Sequence, residues 1–513
     1  MVLSLPCGSR KPEVTRYLCV LLTGALAALG FAPLELWPLT LVALVLLAEF
    51  LARAATLRGA FVTGLVFGMG QFAVSLCWLP TAFTYQANMP AWLGWLAEVL
   101  LSTYLALYPA LACGLAWRLA RVHRVGFVFV LAATWMLAEW LRGTLLTGFP
   151  WNPLGVIWLP VPAISWAASW IGAYGLSSLA ILTAGLLWLG MRWRWTVTAA
   201  SAVLVSAALL WLGPARGMGT DDPSGVAVRV VQPNIGQDER YNEDERNARL
   251  YATLSGKPGP VPRVLLWPEG ATLKFLEIEP QARKDLGALL GPRDILLIGG
   301  ESITRGAKPS EDAYHNSVFA VDHTGALRWR YDKAHLVPFG EYLPWRAILG
   351  RLGISRLVPG DTDFLMGPGA RTFLVPGFSR GGAPITVGVQ ICFEIVFPGR
   401  VIDESHRPSF LFNPSTDAWF GAWGPPQHLA QAQLRAIEEG VPVIRATPNG
   451  ISAVIGAHGE LMATVARHRA GVIDTVLPPA LPPTVFSRFG LWSCAVFGLF
   501  LSGVGFAVAG WEK

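Results

Sequence analysis

Eight stretches of about 20 mostly apolar residues, near 17 to 32, 35 to 52, 59 to 80, 91 to 117, 125 to 141, 163 to 190, 195 to 213 and 486 to 510, constrain this chain more than any other feature. A helix of about 20 apolar residues is what it takes to cross ~30 Å of hydrocarbon, so each window is an expected membrane span. Composition agrees: the chain is 53% hydrophobic and only 14% charged, where soluble domains carry roughly 25% charged residues. Cationic residues in short loops tend to stay cytoplasmic. Arg10, Lys11 and Arg16, then Arg53 and Arg58, then Arg118, Arg121 and Arg124, then Arg192 and Arg194, and finally Lys513 all fall on one side, while the opposite short loops hold only Arg142. Both termini are therefore expected in the cytoplasm, and the region between the seventh and eighth spans outside it, in the periplasm of a two-membrane bacterium.

The expected organisation is a cytoplasmic tail (1–16), a membrane domain of seven spans (17–213), a periplasmic domain (214–485), an eighth span (486–510) and a cytoplasmic end (511–513). The first apolar segment has no small-residue cleavage site and reads as an anchor rather than a removable signal. The formal charge of +6 comes without a basic run or interleaved aromatics, so nucleic acid is not an expected partner. Gly148-Phe149-Pro150-Trp151-Asn152-Pro153-Leu154-Gly155 is aromatic and broken by proline beside a span, as expected of irregular backbone that packs on protein or borders a lipid path. Glu49 and Glu98 fall in or near spans with no partner visible in the sequence.

Residues 226 to 480 read differently. Short β-branched runs (Val226 to Val231, Val264 to Trp267, Ile295 to Gly299, Asn316 to Val321, Ile385 to Ile391, Val441 to Arg445) alternate with amphipathic stretches (Glu243 to Leu254, Pro280 to Leu290, His428 to Glu439). Buried strands with intervening helices predict a layered α/β domain. Of the six cysteines, Cys7, Cys19, Cys77, Cys113 and Cys494 lie in the tail or in apolar segments, leaving Cys392 alone in this domain, where no disulfide can form. A solitary thiol is either a small buried hydrophobe or a reactive group.

Cys392 closes the apolar run Ile385 to Ile391, where a strand end can present a nucleophile. Glu269 ends Val264-Leu265-Leu266-Trp267-Pro268, and Lys333 follows the alternating run Leu327 to Asp332. Taken singly, Glu269 is also a solvated turn residue and Lys333 a surface lysine. Together, an acid, a lysine and a thiol stand at three strand ends, where one rim of a sheet can collect a base, a cation and a nucleophile. The chain has 33 arginines and seven lysines, so a lysine here points to a need for a compact ammonium. Ser379 in Gly377-Phe378-Ser379-Arg380-Gly381 fits the G-x-S-x-G pattern, but that motif needs a helix after the serine; Gly382 and Pro384 instead lead into another strand. The eight histidines show no metal-ligand spacing, His335 and His428 read as structural groups, and neither metal nor cofactor is expected.

The runs Leu-Leu-Trp-Pro-Glu-Gly, Tyr-Asp-Lys-Ala-His-Leu-Val-Pro-Phe-Gly-Glu-Tyr-Leu-Pro and Gln-Ile-Cys-Phe-Glu resemble the three site motifs of the carbon-nitrogen hydrolase, or nitrilase, superfamily. With Asn413-Pro414-Ser415-Thr416-Asp417-Ala418-Trp419-Phe420-Gly421 and the flanking spans, the resemblance extends over nearly the whole chain to the apolipoprotein N-acyltransferase family. It implies an αββα sandwich, with Glu269 as general base, Lys333 as the cation at the oxyanion and Cys392 as nucleophile. Glu341 and Glu394 match further acidic positions and are expected to support the site. Tyr241, Phe393 and Trp419 are the substrate-binding candidates; Phe393 stands where a tyrosine is expected, and Tyr241 where tryptophan is frequent. The implied reaction moves an acyl chain from a membrane phospholipid through a Cys392 thioester to the α-amino group of the diacylglyceryl-cysteine of an apolipoprotein, in a protein expected to act as a monomer. The apolar stretch Leu343 to Leu365, with Pro344, Trp345, Ile348, Leu349 and Leu352, is either a lid or a packed loop. Two other readings remain: a membrane-tethered amidase acting on a small amide, and a scaffold or transporter whose outer domain is inactive.

Overall fold

The structure is a computed structural model that describes residues 11–85, 90–192, 225–306, 312–352, 356 and 362–511. The chain forms two compact units, one of Met1–Cys77, Trp95–Gly213 and Leu491–Lys513, the other of Trp78–Gly94 and Pro214–Gly490.

The first unit is helical. Among the described residues, five helices are long and apolar enough to cross a membrane: Leu57–Ser75, Trp92–Ala120, Arg124–Thr147, Ala168–Arg192 and Leu491–Ala509. The first two expected spans are helices at Lys11–Ala28 and Trp37–Ala52, but the latter is short of a full crossing, since 16 residues rise only about 24 Å. The expected span at 195–213 lies outside the described residues. Of the eight expected spans, five are matched by helices of sufficient length and apolarity among the described residues, and the count of eight is not reached there. Association in lipid relies on close packing rather than on a hydrophobic driving force, and small residues supply it. A Cβ on Gly24 would stand 1.9 Å from the Phe67 carbonyl oxygen and one on Gly70 2.0 Å from that of Leu21, so Lys11–Ala28 and Leu57–Ser75 meet backbone to backbone.

Several polar groups within this unit find partners inside it. Glu49, for which the sequence shows no partner, accepts from Arg53 Nε at 2.6 Å, Trp188 Nε1 at 2.9 Å and Arg192 Nη2 at 2.6 Å. The irregular loop from Gly148 is tied down as well. Arg142 Nη1 donates to the carbonyls of Phe149 (2.9 Å) and Trp151 (2.7 Å), Leu154 N–H to Glu139 (2.8 Å), and Gly155 N–H to Ser177 Oγ (2.8 Å). Non-helical backbone at this depth needs such partners.

The second unit is two six-stranded sheets, in the orders β12-β1-β2-β3-β4-β5 and β11-β10-β9-β8-β7-β6. In the first, β1 (Ala227–Gln232), β2 (Arg263–Leu266) and β3 (Ile295–Thr304) run parallel, β4 (Ala313–Asp322) and β5 (Leu327–Asp332) follow antiparallel, and β12 (Gly471–Val476) closes the other edge. In the second, β7 (Ala383–Val389), β8 (Phe410–Pro414) and β9 (Val443–Ala446) are parallel, flanked by β6 (Thr372–Arg380) and by β10 (Ser452–Ile455) with β11 (Leu461–Val465). Period-2 alternation assigns the faces. Val264 and Leu266 of β2 and Leu297 of β3 join Val387, Val389, Phe410, Phe412 and Ile444 in the core between the sheets. Leu265, Trp267, Leu296 and Ile298 point the other way, into a second core shared with Tyr251 and Leu254 of the helix Asp244–Ser255 and with Ala282 and Leu286 of Pro280–Gly287. Helix Gly424–Glu439 covers β9. This is the αββα sandwich. Ser379 lies within β6, and the turn to β7 is made at Gly381 and Gly382 (φ +56° and +83°), so strand–turn–strand replaces the strand–turn–helix that a serine nucleophile needs.

Candidate active site

Parallel strands bring the three groups together because each chain segment leaves its sheet at a carboxyl end. Glu269 follows β2, where Gly270 (φ +58°) turns the chain. Gly270 must also lack a side chain, since a Cβ there would stand 1.7 Å from Arg240 Nη2. β3 holds the Glu269 segment in place: Gly299 N–H donates to the Pro268 carbonyl (3.2 Å), and its own carbonyl accepts from Ala271 N–H (2.8 Å). A Cβ on Gly299 would lie 2.6 Å from the Pro268 oxygen and 2.7 Å from Glu269 Cα. Neither atom can yield without moving Glu269. Gly299→Ala is therefore expected to destabilise the domain by about 1–3 kcal/mol, the usual cost of overpacking, as a lowered thermal midpoint of the variant would show.

Glu269, Lys333, Glu341 and Cys392 are all buried, between 1 and 8% exposed. Asn316 bridges them from β4, its Nδ2 donating to Glu269 Oε1 at 2.8 Å and to Glu341 Oε1 at 2.9 Å. Lys333 Nζ donates to the same Glu341 oxygen at 2.9 Å, and Val337 N–H binds the other at 2.9 Å. Burial works against the Lys333 ammonium, but the charges of Glu341 and Glu269 outweigh it and hold its pKa above the ordinary lysine value. Glu269 Oε2 is buried without a hydrogen-bond partner among the described residues. A carboxylate with one oxygen fixed and the other free is set to take a proton.

Cys392 opens a short 3-10 helix, Cys392–Val396, with φ at +51°. Such a conformation costs a non-glycine residue about 1–3 kcal/mol and persists only where the surroundings enforce it. Burial raises the thiol pKa well above its usual value; Glu269 adds to this, while Lys333 and the Thr416 N–H oppose it. Burial thus favours the protonated thiol over a standing thiolate, and a thiol of this kind needs a base beside it before its sulfur can react.

Glu394 staples two loops. Its Oε1 accepts from Tyr331 Oη (2.9 Å), Ala334 N–H (2.7 Å) and His335 N–H (3.1 Å), beside Lys333, while Oε2 accepts from Ile391 N–H (2.7 Å), beside Cys392. Burial pushes its pKa up to about 7 against the pull of Lys333 and these donors. Of the substrate-binding candidates, Tyr241 is half-buried with Arg240 5.2 Å from its ring centre. Phe393 is 4% exposed and edge-on to Phe397 at 5.3 Å, and Trp419 is half-buried, edge-on to Tyr85 at 5.5 Å. The stretch 343–365 contains the short helix Arg346–Leu349 with Trp345 and Ile348 71% and 62% exposed; part of it lies outside the described residues.

Sequence reasoning missed Asn316, Tyr331, Asn413 and Arg445. Arg445 Nη1 binds Asn413 Oδ1 (2.5 Å) and Ser415 Oγ (3.0 Å), and its Nη2 pairs with Asp417. An arginine at the end of an apolar strand with no exposed surface, at 0%, was the available signal, since a buried guanidinium needs several acceptors.

The carbon-nitrogen hydrolase family matches residues 228–481, and with the double sheet this makes the second unit a domain of the nitrilase superfamily. The apolipoprotein N-acyltransferase N-terminal domain matches residues 23–186. Among curated relatives, the apolipoprotein N-acyltransferase of Bradyrhizobium diazoefficiens is 36% identical over 502 residues, covering 93% of this chain and 91% of its own. That of Brucella suis is 35% identical over 506 residues, covering 91% of each. A solved nitrilase-superfamily structure, Nit3 of Saccharomyces cerevisiae, aligns with 50% of this chain and 90% of its own at 19% identity and TM-score 0.34. The chain belongs to the apolipoprotein N-acyltransferase family.

Proposed function

We propose that this protein transfers an acyl chain from a membrane phospholipid to the α-amino group of the diacylglyceryl-modified N-terminal cysteine of apolipoproteins, through a thioester on Cys392. The observation that carries the reading is a buried thiol at a left-handed strand end, in the field of a carboxylate with one oxygen unpartnered among the described residues and of a buried ammonium. Glu269 takes the thiol proton as Sγ attacks the ester carbonyl. Negative charge develops on the carbonyl oxygen, and Lys333 stabilises it. Collapse expels the lysophospholipid alkoxide, which takes the proton back from Glu269. In the second half-reaction Glu269 takes a proton from the incoming neutral amine and returns it to the departing Cys392 sulfur. The kinetics are ping-pong.

Glu341 and Glu394 support rather than react: the first holds the Lys333 ammonium, the second the segments on either side of the site. Tyr241, Phe393 and Trp419 contribute aromatic surface to substrate binding. A lipid donor is supported by the exposure of the large apolar side chains of Phe339, Trp345, Ile348, Leu365 and Met366 within one stretch of chain. The arginine-rich short loops support a cytoplasmic placement of both termini and a periplasmic catalytic domain bounded near 214 and 485, in an enzyme acting as a monomer. The test is transfer in detergent from acyl-labelled phospholipid to a synthetic diacylglyceryl-cysteinyl peptide at varied concentrations of both. Parallel double-reciprocal lines support the reading, and intersecting lines, which require both substrates bound together, contradict it.

A further inference from the structure

Behind the nucleophile lies a buried polar network that the proposed reaction does not use. His428, in helix Gly424–Glu439, is fully buried, with Nε2 3.1 Å from the Cys392 carbonyl oxygen. Asn413 Nδ2 reaches the same oxygen at 3.4 Å and the Gln390 carbonyl at 2.6 Å. On the other side of the imidazole, Nδ1 is 3.1 Å from Arg445 Nη2 and 3.4 Å from Asp417 Oδ1. The Cys392 carbonyl can only accept and Arg445 can only donate, so the tautomer that serves both contacts has its ring proton on Nε2 and accepts at Nδ1. Burial and the neighbouring Arg445 both keep the imidazole neutral.

We infer that His428 is a positioning residue for the nucleophile: its Nε2–H, fixed on that nitrogen by Arg445, holds the Cys392 carbonyl and thereby keeps Cys392 in the left-handed conformation that presents its sulfur. The geometry is specific to this carbonyl. A residue at φ +51° is strained and sheds that strain if its peptide relaxes, and relaxation swings both the carbonyl and the Sγ. A donor on the carbonyl opposes that swing. Arg445 in turn is anchored to Asn413 and Ser415 on the β8 end and to Asp417 beyond it. The strand end, the following turn and the helix are thereby locked around one backbone oxygen. His428 contacts no substrate and moves no proton.

The inference rests on the reading of Cys392 as nucleophile, and the test separates the two. Glutamine at 428 places an amide N–H near the position of Nε2, and asparagine near that of Nδ1, so H428Q keeps the donor while H428N loses it. Both are polar and smaller than histidine. Full-length wild type, H428Q and H428N in detergent are compared for site-resolved alkylation of Cys392 by iodoacetamide, for single-turnover acylation by labelled phospholipid, and for thermal midpoint. Alkylation and acylation of H428N are expected to fall together by about 10²-fold, the cost of misplacing a reacting group by about an ångström, with H428Q within a few-fold of wild type and the two variants matched in thermal midpoint. Equal rates in the two variants, or losses that follow the thermal midpoint alone, overturn the inference. Wild type that alkylates at Cys392 but takes no acyl label counts against the phospholipid reading, and the alkylation rates still decide the role of His428.

Discussion

Glu269→Gln is expected to lower the rate of Cys392 acylation by about 10²–10⁴-fold, the range a positioned general base supplies, while leaving the fold intact. The substitution is close to isosteric. The Oε1 that accepts from Asn316 Nδ2 at 2.8 Å survives as the amide oxygen, and the atom that changes is Oε2, which has no partner among the described residues. An NH2 there cannot take a proton from the thiol, and the thiol does not ionise unaided because burial holds its pKa well up. The check is single-turnover labelling by acyl phospholipid alongside the thermal midpoint. A variant that labels at the wild-type rate would remove Glu269 from the role of base.

Lys333→Met is expected to fail in two ways at once. The ammonium is 1% exposed, bound to Glu341 at 2.9 Å, and its raised pKa reflects the charges of Glu341 and Glu269 beside it. Its removal leaves two carboxylates in a buried site without their cation, a loss of about 3–5 kcal/mol for breaking a buried pair. It also removes the charge that meets the developing oxyanion, worth about 10²–10³-fold in rate. The sign of the first effect can be tested independently. A second substitution, Glu341→Gln, relieves the unpaired charge and is expected to restore part of the thermal midpoint lost in Lys333→Met without restoring the rate. If the double variant were no more stable than the single one, the pairing account of Glu341 would be wrong.

The strand positions were legible because fully buried parallel strands read as continuous apolar runs. Val264 to Trp267 and Ile385 to Ile391 announced β2 and β7 to within two residues at each end, and β3 and β4 extended beyond the windows that marked them, Ile295 to Gly299 and Asn316 to Val321. That Glu269, Lys333 and Cys392 would come near one another was legible through their placement at strand ends. Asn316 was not, because one amide at the head of an apolar strand has no pattern of its own. Its importance comes from the register of β3 against β4, which pairs it with Glu301. The same holds for Tyr331, which reads as one more alternating residue of β5 until its hydroxyl meets Glu394 across 63 residues of chain. His428 read as a structural histidine, and its contact with the Cys392 carbonyl exists only once helix Gly424–Glu439 packs against the turn after β7.

The membrane count was less legible for a different reason. Hydropathy reports how apolar a window is but not where its helix stops. The window at 59 to 80 ends as a helix at Ser75, and Trp78 onward belongs to the other unit. There the Trp78 ring packs on Phe420 at 5.0 Å, and its Nε1 donates to Gln427 at 3.1 Å. Aromatic and proline-containing sequence such as Trp78-Leu79-Pro80 is apolar enough to extend a span on a hydropathy scale, yet it is used for packing within a folded domain.

Covalent trapping on Cys392 tests the central claim most directly. Purified full-length protein in detergent is incubated with acyl-labelled phospholipid in the absence of acceptor, denatured without thiol, digested and analysed beside Cys392→Ala. The account predicts label on the peptide carrying Cys392, released by neutral hydroxylamine as a thioester is, and absent from the variant. Folded, lipid-binding wild type that carries no label at Cys392, or label that persists in Cys392→Ala, would contradict it.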